Sequence, residues 1–269
     1  MQLKQICKDV REDIVTEIGT LGVGHIGGCL SIVEVLVLLY FKHMNIDPAR
    51  PDMPGRDRLV ISKGHAGPAA YAVLANRGYF PKSELLTLNK NGTNLPSHCD
   101  MNKTPGIDMT AGSLGQGFSC AVGIAVGSKL RKDGATVYAV LGDGESQEGQ
   151  IWEAAMYAGA KKLNNLIAFT DYNGMQIDGT TDEICTLNPL DKKWKAFNWN
   201  VITVEDGHDL DLIDGAISAA KKSKKPTMII LKTVKGKGVS FAEQAKVGSH
   251  SMSVSKEQMA AAVEEIRRA

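Results

Sequence analysis

The stretch Leu141–Asp178, LGDGESQEGQIWEAAMYAGAKKLNNLIAFTDYNGMQID, decides the fold. The apolar run TVYAVL (Thr136 to Leu141) reads as a strand that ends at Gly142-Asp143-Gly144. A helix is expected next, because Ile151, Ala154, Ala155 and Ala158 recur at the offsets of one helical face. A second strand, LIAFT (Leu166 to Thr170), ends at Asp171-Tyr172-Asn173. Together these make one βαβ unit, whose right-handed crossover brings the carboxyl ends of both strands to one edge of a parallel sheet. Open α/β sheets bind ligands at that edge. Asp143 and Asn173, thirty positions apart in sequence, then become two hard oxygen ligands close in space. Mg²⁺ takes one or two such protein oxygens and completes its octahedron with water and substrate phosphates. The flanking glycines let the backbone approach a diphosphate closely.

Outside this unit, helical and strand patterns alternate, which predicts an α/β fold with a mostly parallel central sheet covered by helices on both faces. Leu3, Ile6, Cys7, Val10, Ile14 and Ile18 mark the apolar face of a first helix. The run Ile32 to Phe41 reads as a buried helix started by a capping box of Ser31 and Glu34. A short strand is expected at Leu59 to Ser62, followed by a turn, KGHAGP (Lys63 to Pro68), and a helix that stops near Gly78. The irregular stretch Asn89 to Met109 is long enough to suggest a functional loop. Gly115 to Lys132 is a helix of small residues. Further strands are expected at Val201–Val204 and Thr227–Thr233, with helices near Leu190–Phe197 and Asp209–Lys222. A last helix starts at the Ser255 and Gln258 capping box. With 269 residues and no linker or repeat, a single domain over 1–269 is the simplest reading.

Composition excludes several classes of function. A net charge of +1, with lysines scattered or solvating helix faces, argues against nucleic acid or an acidic membrane as partner. Five cysteines form no CxxC pair and are odd in number, so they read as reduced, buried thiols. The N-terminal MQLKQICKDVREDIV lacks a signal-peptide core, and Ile32 to Phe41 is far too short to span a bilayer. A cytoplasmic enzyme is expected.

Gly-Asp-Gly alone is an ordinary turn, but GDGESQEGQIWEAA followed by DYNGMQIDG resembles the motif of thiamine diphosphate enzymes, and most of all transketolase. Five further blocks resemble that family in its order. These are GVGHIGG (Gly22 to Gly28), with Ile26 where the family has proline; ISKGHAGPAAYA (Ile61 to Ala72); LPSHCD (Leu95 to Asp100); TAGSLGQGF (Thr110 to Phe118); and the short GSHSM (Gly248 to Met252). The resemblance is to the N-terminal, diphosphate-binding part of transketolase, and it implies that fold together with thiamine diphosphate and Mg²⁺ as cofactors, with Ca²⁺ or Mn²⁺ as substitutes. It implies metal ligation by Asp143, Asn173 and the Met175 carbonyl, Gly144 against the diphosphate, and Gly112 and Leu114 against the aminopyrimidine ring.

The family's reaction transfers a two-carbon ketol unit from a ketose to an aldose and moves protons on and off sugar hydroxyls, which suits groups titrating near neutral pH. The resemblance accordingly places His25 and His65 near the reacting carbon and the diphosphate, His98 near the donor's terminal hydroxyl and His250 near substrate oxygens. Two histidines are left without a role: His43, as a cation at a helix end, and His208, in the turn before a helix. Glu148 matches a family glutamate at the subunit interface, or else is a carboxylate in the first turn of a helix.

Complete transketolases carry a second domain that supplies the activating glutamate, an aromatic cradle and most sugar-phosphate contacts, and a third domain after it. The resemblance therefore implies either a split enzyme, two such chains with two partner chains in a heterotetramer, or a truncated chain. The main expectation is ordinary ketose and aldose (phosphate) substrates; a further option is a split transketolase for a branched, modified or sulfonated sugar, because substrate choice lies largely in the partner. Rivals sharing the cofactor are a deoxyxylulose-phosphate synthase-like subunit and the α chain of a 2-oxo-acid dehydrogenase. The rival from another class is a cofactor-free scaffold for a partner chain.

Overall fold

The computed structural model describes residues 3–269. A long helix α1 (Leu3–Leu21) leads through the two-residue strand β1 (Val23–Gly24) into α2 (Ile26–Leu30) and α3 (Val33–Leu38). Then come β2 (Arg58–Ile61), α4 (Gly67–Arg77), α5 (Gln116–Arg131), β3 (Val137–Gly142), α6 (Gly149–Ala160) and β4 (Leu166–Tyr172). After α7 (Thr181–Cys185) and α8 (Leu190–Ala196), the chain adds β5 (Asn200–Val204), α9 (Leu210–Ala220) and β6 (Thr227–Lys232). It closes with α10 (Ser240–Ala245), β7 (Met252–Ser253) and α11 (Lys256–Arg268).

Five strands form one sheet in the order β2-β3-β4-β6-β5, every pair parallel. Side chains alternate along its strands, and both faces are buried. Tyr138, Val140, Ile167, Phe169, Ile229 and Leu231 point into a core shared with α1, α3, α4, α9 and α11. Val137, Ala139, Leu141, Ala168, Met228 and Ile230 point the other way, onto α5, α6 and α8. This is the period of two that a sheet covered on both sides imposes on apolar strands. Among the described residues no helix is long and apolar enough to cross a membrane.

The expected βαβ unit is present: β3 and β4 are neighbours, paired from Val137↔Leu166 to Gly142↔Asp171. The Ser255–Gln258 capping box also forms. The one expected at Ser31 and Glu34 does not. The Ser31 hydroxyl donates instead to Asp171, at 2.7 Å, and Glu34 is held by Arg11 and His208. The helix expected over Ile32 to Phe41 is split accordingly, with α3 running into a π-turn at Leu39–His43. His43 does end the π-turn, as expected, but a positive charge on it is disfavoured. It contacts Asp214 at 2.8 Å, and burial outweighs that carboxylate and lowers the imidazole's affinity for a proton. Of the five thiols, Cys7, Cys29 and Cys99 are buried, and burial pushes each up to about 12. Cys185 is exposed and Cys120 partly so, which corrects the expectation that all are buried.

Candidate active site

The turns after β2, β3, β4 and β6 all leave the same edge of the sheet, as parallel strands require. They are joined there by the segments at either side of the β1–β7 pair, where Val23 faces Ser253 and Gly24 faces Met252. A cavity of about 390 Å³ opens at this edge, within the range of small-molecule sites. It is lined by His25, His65, His98 and His250, by Gly112 and Leu114, and by Asp143, Gly144, Asn173 and Met175. Every residue expected at the site thus reaches one cavity. A larger cavity of about 680 Å³ lies elsewhere, at the amino end of α1.

His25 is the hub of the imidazoles, with ring centroids 5.3 Å from His65, 5.6 Å from His98 and 5.4 Å from His250. His65 and His250 stand 4.9 Å apart. Burial lowers the proton affinity of all four. Neighbouring charge adds to it: Lys63 acts on His65, and Lys235 helps bring His250 down to about 4. The rings are therefore neutral at pH 7 and free to accept or relay a proton. The His65 turn packs so tightly on the loop before α5 that a Cβ on Gly64 would meet the Ala111 carbonyl oxygen at 2.0 Å. That contact requires glycine and fixes His65 relative to Gly112.

Across the cavity lie the ends of β3 and β4. Asp143 is 2% exposed. Among the described residues its carboxylate accepts only from the backbone amides of Gly144, at 2.8 Å, and Gly174, at 2.5 Å. Burial, reinforced by the Asp171 charge, pushes it up to about 7. Asn173 donates its amide nitrogen to Asp171 at 3.1 Å, and its amide oxygen accepts from the Met175 amide. Among the described residues, no three His, Cys, Asp or Glu side chains converge as a metal cage. One carboxylate without a cationic contact, one oriented amide oxygen and one carbonyl form a hard, oxygen-only set that fits a divalent ion sharing its shell with a diphosphate.

Four further residues build the site and were not singled out from sequence. Asp171 and Lys63 form a fully buried ion pair at 2.6 Å, with side chains 1% and 2% exposed. Burial opposes ionisation of Asp171, yet the Lys63 ammonium and the hydroxyls of Thr233 and Ser31 outweigh it and hold the carboxyl below its usual range. Glu145 is 2% exposed and accepts from Ser62 Oγ and from the amides of Gly115 and Gly142, tying the Gly-Asp-Gly turn to the start of α5. Lys235 reaches in from the segment after β6, its Nζ 3.4 Å from both the Met175 carbonyl and His250 Nδ1. Burial and the nearby Lys63 charge lower it to about 8. Adjacency to His65, to Asn173 or to the glycines of TVKGKG was the only sequence signal for three of them. Glu148 lines the cavity from the N-cap position of α6, one residue before the first turn, with its side chain exposed and making no cap bond.

Proteins similar to this chain in sequence and fold include transketolases and transketolase subunits. The family described as "Transketolase, thiamine diphosphate binding domain" matches residues 3–267. The chain is 58% identical over 260 residues to the 6-deoxy-6-sulfo-D-fructose transketolase subunit SqwG of Clostridium sp. (strain MSTE9), covering 96% of this chain and 94% of that one. It is 40% identical over 243 residues to an apulose-4-phosphate transketolase subunit of Phocaeicola vulgatus, covering 90% and 86%. Among solved structures, the transketolase from Leishmania mexicana superposes with a TM-score of 0.93 at 28% identity over 99% of this chain, which spans only 41% of the longer enzyme. The chain belongs to the transketolase family and has the α/β fold of its thiamine diphosphate-binding domain.

Proposed function

We propose that this chain is the diphosphate-binding subunit, folded as a single domain, of a two-chain transketolase that takes its ketol unit from a modified ketose. The observation that carries the catalytic reading is the single cavity joining four neutral imidazoles to an unpaired, buried carboxylate at the sheet edge. Likeness to subunits named for sulfofructose and apulose phosphate favours the modified-sugar reading over ordinary sugar phosphates, and the 58% match favours a sulfonated donor. The free thiols suit a reducing, cytoplasmic setting.

In this reading Asp143, the Asn173 amide oxygen and the Met175 carbonyl hold Mg²⁺, and Gly144 and Lys235 face the diphosphate. Gly112 and Leu114 lie against the aminopyrimidine. When bound, thiamine diphosphate supplies the carbon nucleophile and electron sink for breaking the donor's C–C bond. The chain's own part is proton transfer and orientation. His25, held against the other three rings, exchanges a proton with the oxygen that changes charge at the reacting carbon. His65 serves the same region and the diphosphate end. His98, its Nδ1 3.0 Å from Ser97 Oγ, orients the donor's terminal hydroxyl, and His250 the remaining sugar oxygens. A partner chain supplies the activating glutamate and most contacts to the sugar's anionic tail, in a heterotetramer with Glu148 at the shared interface.

The test is reconstitution. The chain, its partner, Mg²⁺ and thiamine diphosphate are assayed with 6-deoxy-6-sulfofructose and with fructose 6-phosphate as donors and an aldose phosphate as acceptor. The sulfonated donor is expected to give the higher kcat/KM, and the chain without partner no ketol transfer. Turnover by the single chain would overturn the two-chain reading, and preference for fructose 6-phosphate the substrate reading.

A further inference from the structure

Lys235 enters the cavity from a segment, Thr233 to Gly238, that has no regular structure and includes two glycines at φ of +84°, Gly236 and Gly238. Such a stretch is flexible by composition. Its ammonium nonetheless sits at a defined point, 5% exposed and beside the Met175 carbonyl. Contacts on both sides of it hold the backbone, the Gly236 amide on the Gly27 carbonyl at 3.0 Å and the Thr233 amide on the Tyr172 carbonyl at 3.1 Å among them.

Two of the pins come from one buried network. The amide of Val234, the residue before Lys235, donates to His208 Nε2 at 2.8 Å. The carbonyl of Lys237, two residues after it, accepts from Arg11 Nε at 3.1 Å. Between these anchors lies Glu34, which meets Arg11 at 2.5 Å and His208 Nδ1 at 3.1 Å. Because Nε2 accepts from a backbone amide, the ring's single proton is on Nδ1, and it points at Glu34. Burial opposes a charge on Glu34, but the His208 hydrogen bond and the Arg11 charge outweigh it and keep it ionised. The network thus draws on α1, α3 and the turn before α9, three elements that contribute no residue to the cavity lining.

We propose that Arg11, Glu34 and His208 form a positioning triad that sets the place of the Lys235 ammonium at the cofactor's diphosphate end. None of the three touches the cavity; each acts through the backbone of Val234 or Lys237. The proposal rests on the thiamine diphosphate reading of the site. It also gives His208 a task that its turn position alone did not suggest.

The test uses the full chain with Mg²⁺ and thiamine diphosphate, measured by calorimetry with its partner chain present, and amide hydrogen exchange on the same samples. His208→Ala removes both ring contacts. His208→Gln keeps an acceptor at the Nε2 position and serves as the rescue. Leu163→Ala, in the core on the opposite sheet face, is the control for general destabilisation. His208→Ala is expected to weaken cofactor binding by about tenfold, the size of loss seen when a supporting partner is removed. Amide exchange over 233–238 should accelerate while β4 stays protected. His208→Gln should restore most of the affinity, and Leu163→Ala should leave it unchanged. Wild-type affinity in His208→Ala, or an equal loss in Leu163→Ala, would overturn the triad. Failure of the wild-type complex to bind thiamine diphosphate would instead overturn the reading of the site. Nitrogen-15 spectra give a readout that needs no cofactor, the Nδ1–H tautomer of His208.

Discussion

The ends of β3 and β4 lie side by side, Gly142 opposite Asp171, and each has a buried aspartate within one residue of its end, Asp143 just after β3 and Asp171 just before the last residue of β4. Their electrostatics are opposite. Asp171 has a lysine at 2.6 Å and is complete without any ligand. Asp143 accepts from two backbone amides and has no side-chain cation in contact among the described residues, and burial drives it up to about 7 although the more distant Lys235 charge opposes this. A buried charge that is fully paired is stable as it stands, whereas one left short of a counter-charge costs stability, a cost that the proposed divalent ion at Asp143 would offset. The same edge holds both: a paired carboxylate at β4, which also accepts from Asn173, and beside it the proposed cation site at β3.

Removal of Lys63 has the largest expected effect. Lys63→Met leaves Asp171 as an uncompensated buried charge and is expected to cost about 3–5 kcal/mol in urea unfolding. The wild-type pair also sets a pH signature. The folded pKa of Asp171 is depressed, so its contribution is present above the unfolded value and is lost as pH falls through the folded one. Lys63→Met should remove that acid-side loss.

Asp143→Asn should do the reverse. It is expected to leave the cofactor-free chain as stable as wild type or more so, while Mg²⁺-dependent thiamine diphosphate affinity falls at least about 100-fold, because a ligand is lost rather than a supporting residue. Unchanged binding would contradict the metal assignment.

These two carboxylates show how much of the site was legible in sequence. Asp143 and Asn173 could be found because a strand, a turn and a crossover fix their spacing locally, and the imidazoles because each lies in a distinctive block. Asp171 sits between recognisable residues and still carries no signal of its own, since its meaning depends on Lys63, 108 positions away. Composition places lysines on the surface, so neither Lys63 nor Lys235 announces its burial. The capping box at Ser31 and Glu34 fails for the same reason. Its spacing is right, but both side chains have stronger partners brought in by the tertiary fold, Asp171 for one and Arg11 with His208 for the other.

Glu17 sharpens the comparison with a third case. It is fully buried, and neither oxygen has a partner among the described residues. Burial, with the Asp13 charge, raises its pKa well above the usual carboxylate value. Its stabilising contribution is therefore fully present below the unfolded value of about 4.3 and is lost as pH rises through the folded value. Glu17→Leu should flatten the decline of stability on the alkaline side, as thermal unfolding across a pH series would show. A decline of undiminished slope would place its cause elsewhere. The smallest effect belongs to an ion pair in water. Lys232 and Glu205 meet at 2.5 Å with side chains 48% and 72% exposed, and Lys232→Ala should change stability by less than about 1 kcal/mol.

The two-residue pairing of β1 with β7 has a kinetic consequence. It joins positions 23–24 to 252–253, directly beside His25 and His250, so the cavity wall closes only when segments more than two hundred positions apart meet. Contacts of such long sequence separation form late, because loop-closure entropy must be overcome first. A chain emerging in order holds His25 ready while almost everything else is still to be made. Cofactor binding at this wall is then expected to follow the β1–β7 pairing, and its onset in a refolding experiment would time that step.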